Sequence, residues 1–218
     1  MLVIFDCDGV LVDSEQLSAQ VFAAQLQLEG IKLTPAQCFQ KFKGFTLEDC
    51  VTVLEQEFDC VLGHTFVQRL RRATQQRFAQ DLQAVHGVES VLSWLRQCEI
   101  AMCVASNGDA AKVQHSLTSV GLISYFPQRF SADLVKRGKP EPDLFLLAAS
   151  TMGFSPSQCV VIEDSFSGVK AAQAAGIDVL FYNAIAGAVP DGVESFSSME
   201  QLPAILGRYW QSSDCELP

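Results

Sequence analysis

Short apolar runs alternate along much of this chain with stretches whose apolar positions recur at helical spacing. The first run, Leu2-Val3-Ile4-Phe5, contains no polar position, the pattern of a strand buried on both faces. Ile100-Ala101-Met102-Cys103-Val104-Ala105, Cys159-Val160-Val161-Ile162 and Val179-Leu180-Phe181-Tyr182 read the same way. Shorter strands are predicted near Arg129-Phe130-Ser131 and near Phe196. Predicted helices run from Val88 to Gln97, from Asp109 to Val120, through Leu144, Phe145, Leu147 and Ala148, from Gly168 to Ala175, and from Met199 to Leu206. Gly121 and Gly176 supply two of the stops. Strands alternating with helices require right-handed crossovers, so the expected fold is α/β, a doubly wound parallel sheet with helices on both faces.

Residues 14–82 break the alternation. Ser14, with its hydroxyl as cap and Glu15 behind it, opens a predicted helix to Glu29, which Gly30 stops. Thr34-Pro35 starts a short helix ending near Phe42. After the loop Lys43-Gly44-Phe45, Thr46-Leu47-Glu48-Asp49 has the arrangement of a capping box for a helix to about Glu57. Phe66, Leu70 and Ala73 share one face of a further helix ending near Leu82. The segment reads as an all-helical insertion, a cap over 14–82, with 1–13 and 83–218 forming the core and a polar tail at the end.

The 218 residues suffice for a sizeable core without disulfides. A net charge of −10 argues against nucleic acid or an anionic membrane as partner, since either needs a basic face. No apolar run reaches the length of a membrane span, and Met1 leads straight into the first strand, so a cytoplasmic protein is expected; a monomer is the expected state, with an oligomer left open. The eight cysteines form no CxxC pair and the histidines at 64, 86 and 115 are scattered, which removes a zinc site. Cys7 stands between Asp6 and Asp8, whose charges should raise its thiol pKa and make it a poor nucleophile.

What changes the picture is the polar residues at the strand ends. Asp6 and Asp8 follow the first strand, Ser106 and Asn107 the second, Glu163 and Asp164 a third, and Lys139 lies in the loop Lys136 to Pro142. In a parallel sheet the carboxyl ends lie on one edge, so these residues can meet in one crevice. Adjacent carboxylates repel and call for a counter-charge, most simply a divalent cation. Carboxylates from two strands suit Mg²⁺, which keeps waters and bridges to phosphate. The Ser106 hydroxyl, with Asn107 and the backbone N–H groups opening the Asp109 helix, suits a phosphoryl oxygen, and Lys139 is a point charge for the same group. One carboxylate then remains to attack phosphorus, giving an aspartyl-phosphate. Singly, each piece has a bland reading as a cap, a turn or a solvated charge. Their joint placement decides for the site.

Four segments carry a resemblance: Asp6-Cys7-Asp8-Gly9-Val10-Leu11-Val12-Asp13-Ser14-Glu15, Ser106-Asn107-Gly108, Gly138-Lys139-Pro140-Glu141-Pro142, and Ile162-Glu163-Asp164-Ser165 with Gly168. Together they resemble the motifs of the haloacid dehalogenase superfamily, in its phosphatase and sugar-phosphomutase branch. The resemblance implies a Rossmann-like core with an inserted helical cap. It implies Asp6 as nucleophile and Mg²⁺ ligand, and Asp8 as acid and base with its backbone carbonyl on the metal. Asp164, with Glu163 assisting, would complete the metal site, and Ser106 and Lys139 would hold the phosphoryl group. Within the branch, Phe39 to Gly44, Met102 to Gly108 and Gln114-His115-Ser116 are similar to bacterial phosphatases acting on 6-phosphogluconate.

Two positions depart from the mutases. Leu47 stands where they carry a phosphate-binding arginine, and Ser18 where many members have a histidine. Both favour hydrolysis of a small phosphorylated metabolite over phosphomutase chemistry. Lys43 in the cap loop would suit a substrate carboxylate. A reading from another class, a phospho-aspartate switch, leaves Asp8 and the 14–82 insertion without work.

Overall fold

The computed structural model describes residues 1–42, 45–184 and 188–209. Six strands, β1 (Leu2–Phe5), β2 (Ala101–Ser106), β3 (Arg129–Ser131), β4 (Cys159–Glu163), β5 (Asp178–Tyr182) and β6 (Glu194–Phe196), form one sheet in the order β3-β2-β1-β4-β5-β6. Every neighbouring pair is parallel, with Phe5 opposite both Val104 and Ile162. The chain winds outward from β1 to β3, then returns to β4 on the other side of β1. Strand order therefore reverses between β1 and β4, where doubly wound sheets open a crevice for ligands.

Both sheet faces are covered, as the unbroken apolar strands require. Val3, Phe5, Val104, Val160 and Ile162 point into a core closed by α5 (Val88–Gln97), α6 (Ala110–Ser119) and α9 (Leu202–Leu206). Leu2, Ile4, Cys103, Ala105 and Val161 point the opposite way, against α7 (Asp143–Met152) and α8 (Phe166–Ala174). The period of two along each strand sorts these sets. Helix α8 begins two residues before the expected Gly168, because the Ser165 hydroxyl accepts the Gly168 N–H and caps it.

Between β1 and α5 lie α1 (Glu15–Leu28), α2 (Pro35–Phe42), α3 (Leu47–Phe58) and α4 (Gly63–Asp81). They enclose a third cluster that includes Phe22, Leu26, Cys38, Phe42, Leu54, Phe66 and Leu70. Thr46 caps α3 by accepting the Asp49 N–H, and Thr34 caps α2 reciprocally with Gln37. Helix α4 carries the expected Phe66, Leu70 and Ala73 and adds a buried residue beyond them. Phe78 is buried, whereas Ala73 is only partly so, and Phe78 packs into the sheet core with Leu82. Helix α4 thus belongs to both clusters. The chain leaves the core and re-enters it side by side: Asp13 N–H donates to the Gln83 carbonyl and Val85 N–H to that of Leu11. Among the described residues no helix is long and apolar enough to cross a membrane.

Phe126 is fully buried and meets Phe5 edge-on, ring centroids 6.0 Å apart. Phe126→Ala is expected to lower stability by about 3–5 kcal/mol in urea denaturation.

Candidate active site

Asp6 is the first residue beyond β1, and Glu163 ends β4 beside it. Lys139 reaches between them: its Nζ lies 2.5 Å from Asp6 Oδ1 and 2.6 Å from Glu163 Oε1. All three are buried. The Lys139 backbone is clamped by the Asn107 side chain, whose amide donates to the Lys139 carbonyl (3.0 Å) while its oxygen accepts the Lys139 N–H (2.8 Å). Asn107 thus positions the lysine loop. The other Glu163 oxygen accepts the N–H groups of Asp164 and Ser165 and the Ser165 hydroxyl. Both oxygens of Glu163 are committed, one to the lysine and one to the turn after β4.

Gly168 explains how that turn fits. A Cβ there would collide with Glu163 Oε1, so only glycine lets the carboxylate lie against α8. Gly9 does the same for Asp164, whose carboxylate lies where a Cβ would project, and Gly9 also has φ +79. Asp164 is thereby brought against the Asp8-Gly9 turn. Ser106 is buried at the end of β2, its hydroxyl accepting the Gly108 N–H at 3.1 Å.

Asp8 is held at both oxygens. The Ser14 hydroxyl donates to Oδ1 at 2.5 Å and the Lys112 ammonium to Oδ2 at 2.7 Å. Ser14 was expected to cap α1, yet it makes no side-chain cap bond. Its backbone is already helical (φ −94, ψ −16) where a side-chain cap is extended, and its O–H donates to the charged Asp8 carboxylate instead of its oxygen accepting an α1 N–H. Sequence reasoning missed Lys112. A signal was there: it follows the α6 cap residue Asp109 by three positions, and a cation in a helix's first turn opposes the macrodipole unless an acid meets it. Lys43, expected to meet a substrate carboxylate, lies outside the described residues.

Burial pushes the Asp6 carboxyl up to about 7. Lys139 pulls it down but shares its charge with Glu163, and Glu163 and Asp8 push it up further. Burial raises Asp8 too, but Lys112, by charge and hydrogen bond, and the Ser14 hydroxyl outweigh it and leave Asp8 below the usual carboxylate range. Burial opposes the Lys139 ammonium, and the two acids overcome it, holding its pKa above that of an ordinary lysine. The Cys7 thiol is pushed well up by burial and then by Asp8 and Asp6, as its sequence position implied.

Asp6, Asp8, Ser106, Asn107, Lys139, Glu163 and Asp164 all border one cavity of about 630 Å³, roofed by residues of α1 to α4. Two further bonds tie α6 to α4 at its rim: Arg71 Nε to Asp109 Oδ2 at 3.1 Å, and His115 Nε2 to the Gln75 carbonyl at 2.9 Å. Among the described residues, no three His, Cys, Asp or Glu side chains are grouped as a ready metal site.

A sheet reversing at β1 and β4, with aspartates and a buried lysine at that edge, defines a doubly wound α/β enzyme suited to phosphoryl chemistry. The match to known proteins narrows the class. A family model described as haloacid dehalogenase-like hydrolase covers residues 3–182, and the chain belongs to that family. It is a phosphoric monoester hydrolase. The chain is 34% identical over 208 residues to the 6-phosphogluconate phosphatase of Escherichia coli K12, covering 93% of each. It is 30% identical to the fructose-1-phosphate phosphatase of the same organism, over 82% of this chain and 94% of that one. A family hydrolase from Deinococcus radiodurans R1, solved with bound phosphate and sodium, superposes with a TM-score of 0.74 at 30% identity, over 95% of both chains.

Two outcomes follow from this geometry. Gly168→Ala should displace Glu163 and cost about 1–3 kcal/mol, read from the thermal midpoint. The raised Asp6 carboxyl favours folding while it is protonated, fully so below its unfolded value near 4. That contribution is lost as pH rises through about 7. In metal-free buffer Asp6→Asn should therefore raise the midpoint at pH 8, with the gain fading toward pH 4.

Proposed function

We propose that this enzyme hydrolyses a small phosphorylated metabolite through an aspartyl-phosphate on Asp6. The observation that carries the reading is Lys139, buried and bonded to Asp6 at the reversal point of the sheet. An Asp6 oxygen attacks phosphorus as the ester P–O bond breaks, and the departing alkoxide takes a proton from Asp8. Water then attacks phosphorus, its proton goes to Asp8, and the Asp6–phosphorus bond breaks to release orthophosphate. Lys139 and Ser106 hold the transferring oxygens. Ser14 and Lys112 hold Asp8 ionised, the form that accepts the proton from water; donation to the alkoxide requires its protonation and its release from Lys112.

The donor chemistry fits Mg²⁺. Four carboxylates, Asp6, Asp8, Glu163 and Asp164, face two ammonium groups, Lys139 and Lys112, so a phosphate dianion needs further positive charge to approach. The carboxylates of Asp6 and Asp164 and the backbone carbonyl of Asp8 would hold the ion, which would supply charge neutralisation at the phosphoryl oxygens. With both oxygens committed, Glu163 positions Lys139. It is not assigned a place on the metal.

On this reading residues 1–13 and 83–218 are the catalytic core and 14–82 a cap that excludes bulk water. The separate apolar cluster of α1 to α4 and the paired connections at Asp13 and Val85 support that division. Leu47 borders the cavity with no charge to grip a second phosphate, which favours hydrolysis over a mutase. The named substrate of the Escherichia coli relative makes 6-phosphogluconate the first compound to test.

Phosphate release from a panel of phosphorylated metabolites, with Mg²⁺ present, should fall at least about a thousandfold in Asp6→Asn and about 10²- to 10⁴-fold in Asp8→Asn. Full-rate release by Asp6→Asn would overturn the reading. An isomeric sugar phosphate appearing in place of inorganic phosphate would make it a mutase.

A further inference from the structure

Helices α4 and α6 meet at the cavity along one stripe of each. On α4 the stripe is Arg71, Gln75 and Phe78; on α6 and its cap residue it is Asp109, Lys112 and His115, both at the spacing of a single helical face. Every residue of one set touches one of the other. Arg71 Nε lies 3.1 Å from Asp109 Oδ2, His115 Nε2 donates to the Gln75 carbonyl at 2.9 Å, and the Lys112 ammonium stands 6.0 Å from the centre of the Phe78 ring. All six residues border the cavity.

The Asp109 carboxylate is used twice. Oδ1 accepts the Lys112 backbone N–H at 2.8 Å, which caps α6, while Oδ2 takes Arg71. Asp133 Oδ2 fixes the same turn from the core side by accepting the Ala110 N–H at 2.8 Å. From this turn the Lys112 side chain reaches Asp8 Oδ2. The other Asp8 oxygen is held by Ser14, so a displaced Lys112 swings the carboxyl about that bond. Glu48 also approaches Arg71, but at 3.8 Å and with its side chain 76% exposed it holds the guanidinium weakly. A continuous line of contacts therefore runs from Arg71 through Asp109 and Lys112 to Asp8.

We infer that Arg71 and Asp109 are positioning residues for Asp8: together they set the turn that delivers Lys112, and through it the place from which Asp8 gives its proton to the leaving oxygen. The inference rests on the phosphatase reading above and adds two residues to its proton-transfer step. Neither of them touches the phosphoryl group on this account. Their loss is felt only where the leaving group needs a proton.

The test uses p-nitrophenyl, phenyl and benzyl phosphate, which share one ring and release leaving groups of rising basicity. For each, kcat/KM is measured with Mg²⁺ present; it ends at release of the alcohol and so reports the donation step. Asp109→Asn keeps the α6 cap, since the Asn side-chain oxygen still accepts the Lys112 N–H, and loses the acceptor for Arg71. That variant and Arg71→Met are each expected to lower kcat/KM about fivefold on benzyl phosphate, and by less than about twofold on p-nitrophenyl phosphate. Phenyl phosphate should fall between them. The double variant should lose no more than either single one, and Arg71→Lys should recover most of the loss. Circular dichroism confirms that each variant is folded; if Asp109→Asn is not, the two Arg71 variants carry the test. An equal fall on all three esters marks a merely structural role or a lost contact with the ring, and overturns the inference. So do no fall on any ester and additive losses in the double variant. Asp8→Asn keeps the two readings apart, because it must show the same trend more steeply. A flat response to Asp8→Asn, or no phosphate released from any of the esters by the wild type, sinks the phosphatase mechanism and this inference with it.

Discussion

A lysine ammonium held out of water between two carboxylates is the interaction on which the site depends. Taking Lys139 and Glu163 out of solvent costs several kcal/mol per ion, and removing either partner would leave the other charged and uncompensated. The fold meets that cost with a second layer of polar contacts. Asn107 clamps the lysine backbone, and two N–H groups and a hydroxyl saturate the far oxygen of Glu163. Gly168 leaves the space in which that carboxylate lies. Burial above all, and then the neighbouring charges of Glu163 and Asp8, keep the Asp6 carboxyl hard to ionise although an ammonium touches it.

The second charge pair links the proposed acid and base to the helical roof. Lys112 holds Asp8 while standing on α6, and α6 is bonded to α4 through Arg71–Asp109 and His115–Gln75. Helix α4 in turn contributes Phe66 and Leu70 to the roof's core and Phe78 to the core beneath. A shift of the roof would therefore be felt at Asp8 through one helix.

The elements were legible because their signals are local. Four unbroken apolar runs became strands buried on both faces, and Thr34 and Thr46 cap the helices they were read to open. Ser14 was misread, since its hydroxyl can accept a helix N–H or donate to a carboxylate, and the carboxylate is brought near only by the turn at Asp8. Phe66, Leu70 and Ala73 lie on the helix they were read to form, but spacing did not say that Phe78, further along it, would reach the sheet core.

The sequence by itself determined the strand–helix order, the delivery of Asp6, Ser106, Glu163 and Asp164 to strand ends, and their meeting on one edge. Parallel pairing follows from alternation, and alternation is written in residue order. Only the tertiary structure decided that Glu163 turns to Lys139, that Asn107 clamps the lysine loop, and that Lys112 reaches Asp8 from over a hundred residues away. Those contacts depend on side-chain direction and on distances between remote segments, which packing sets and residue spacing does not encode.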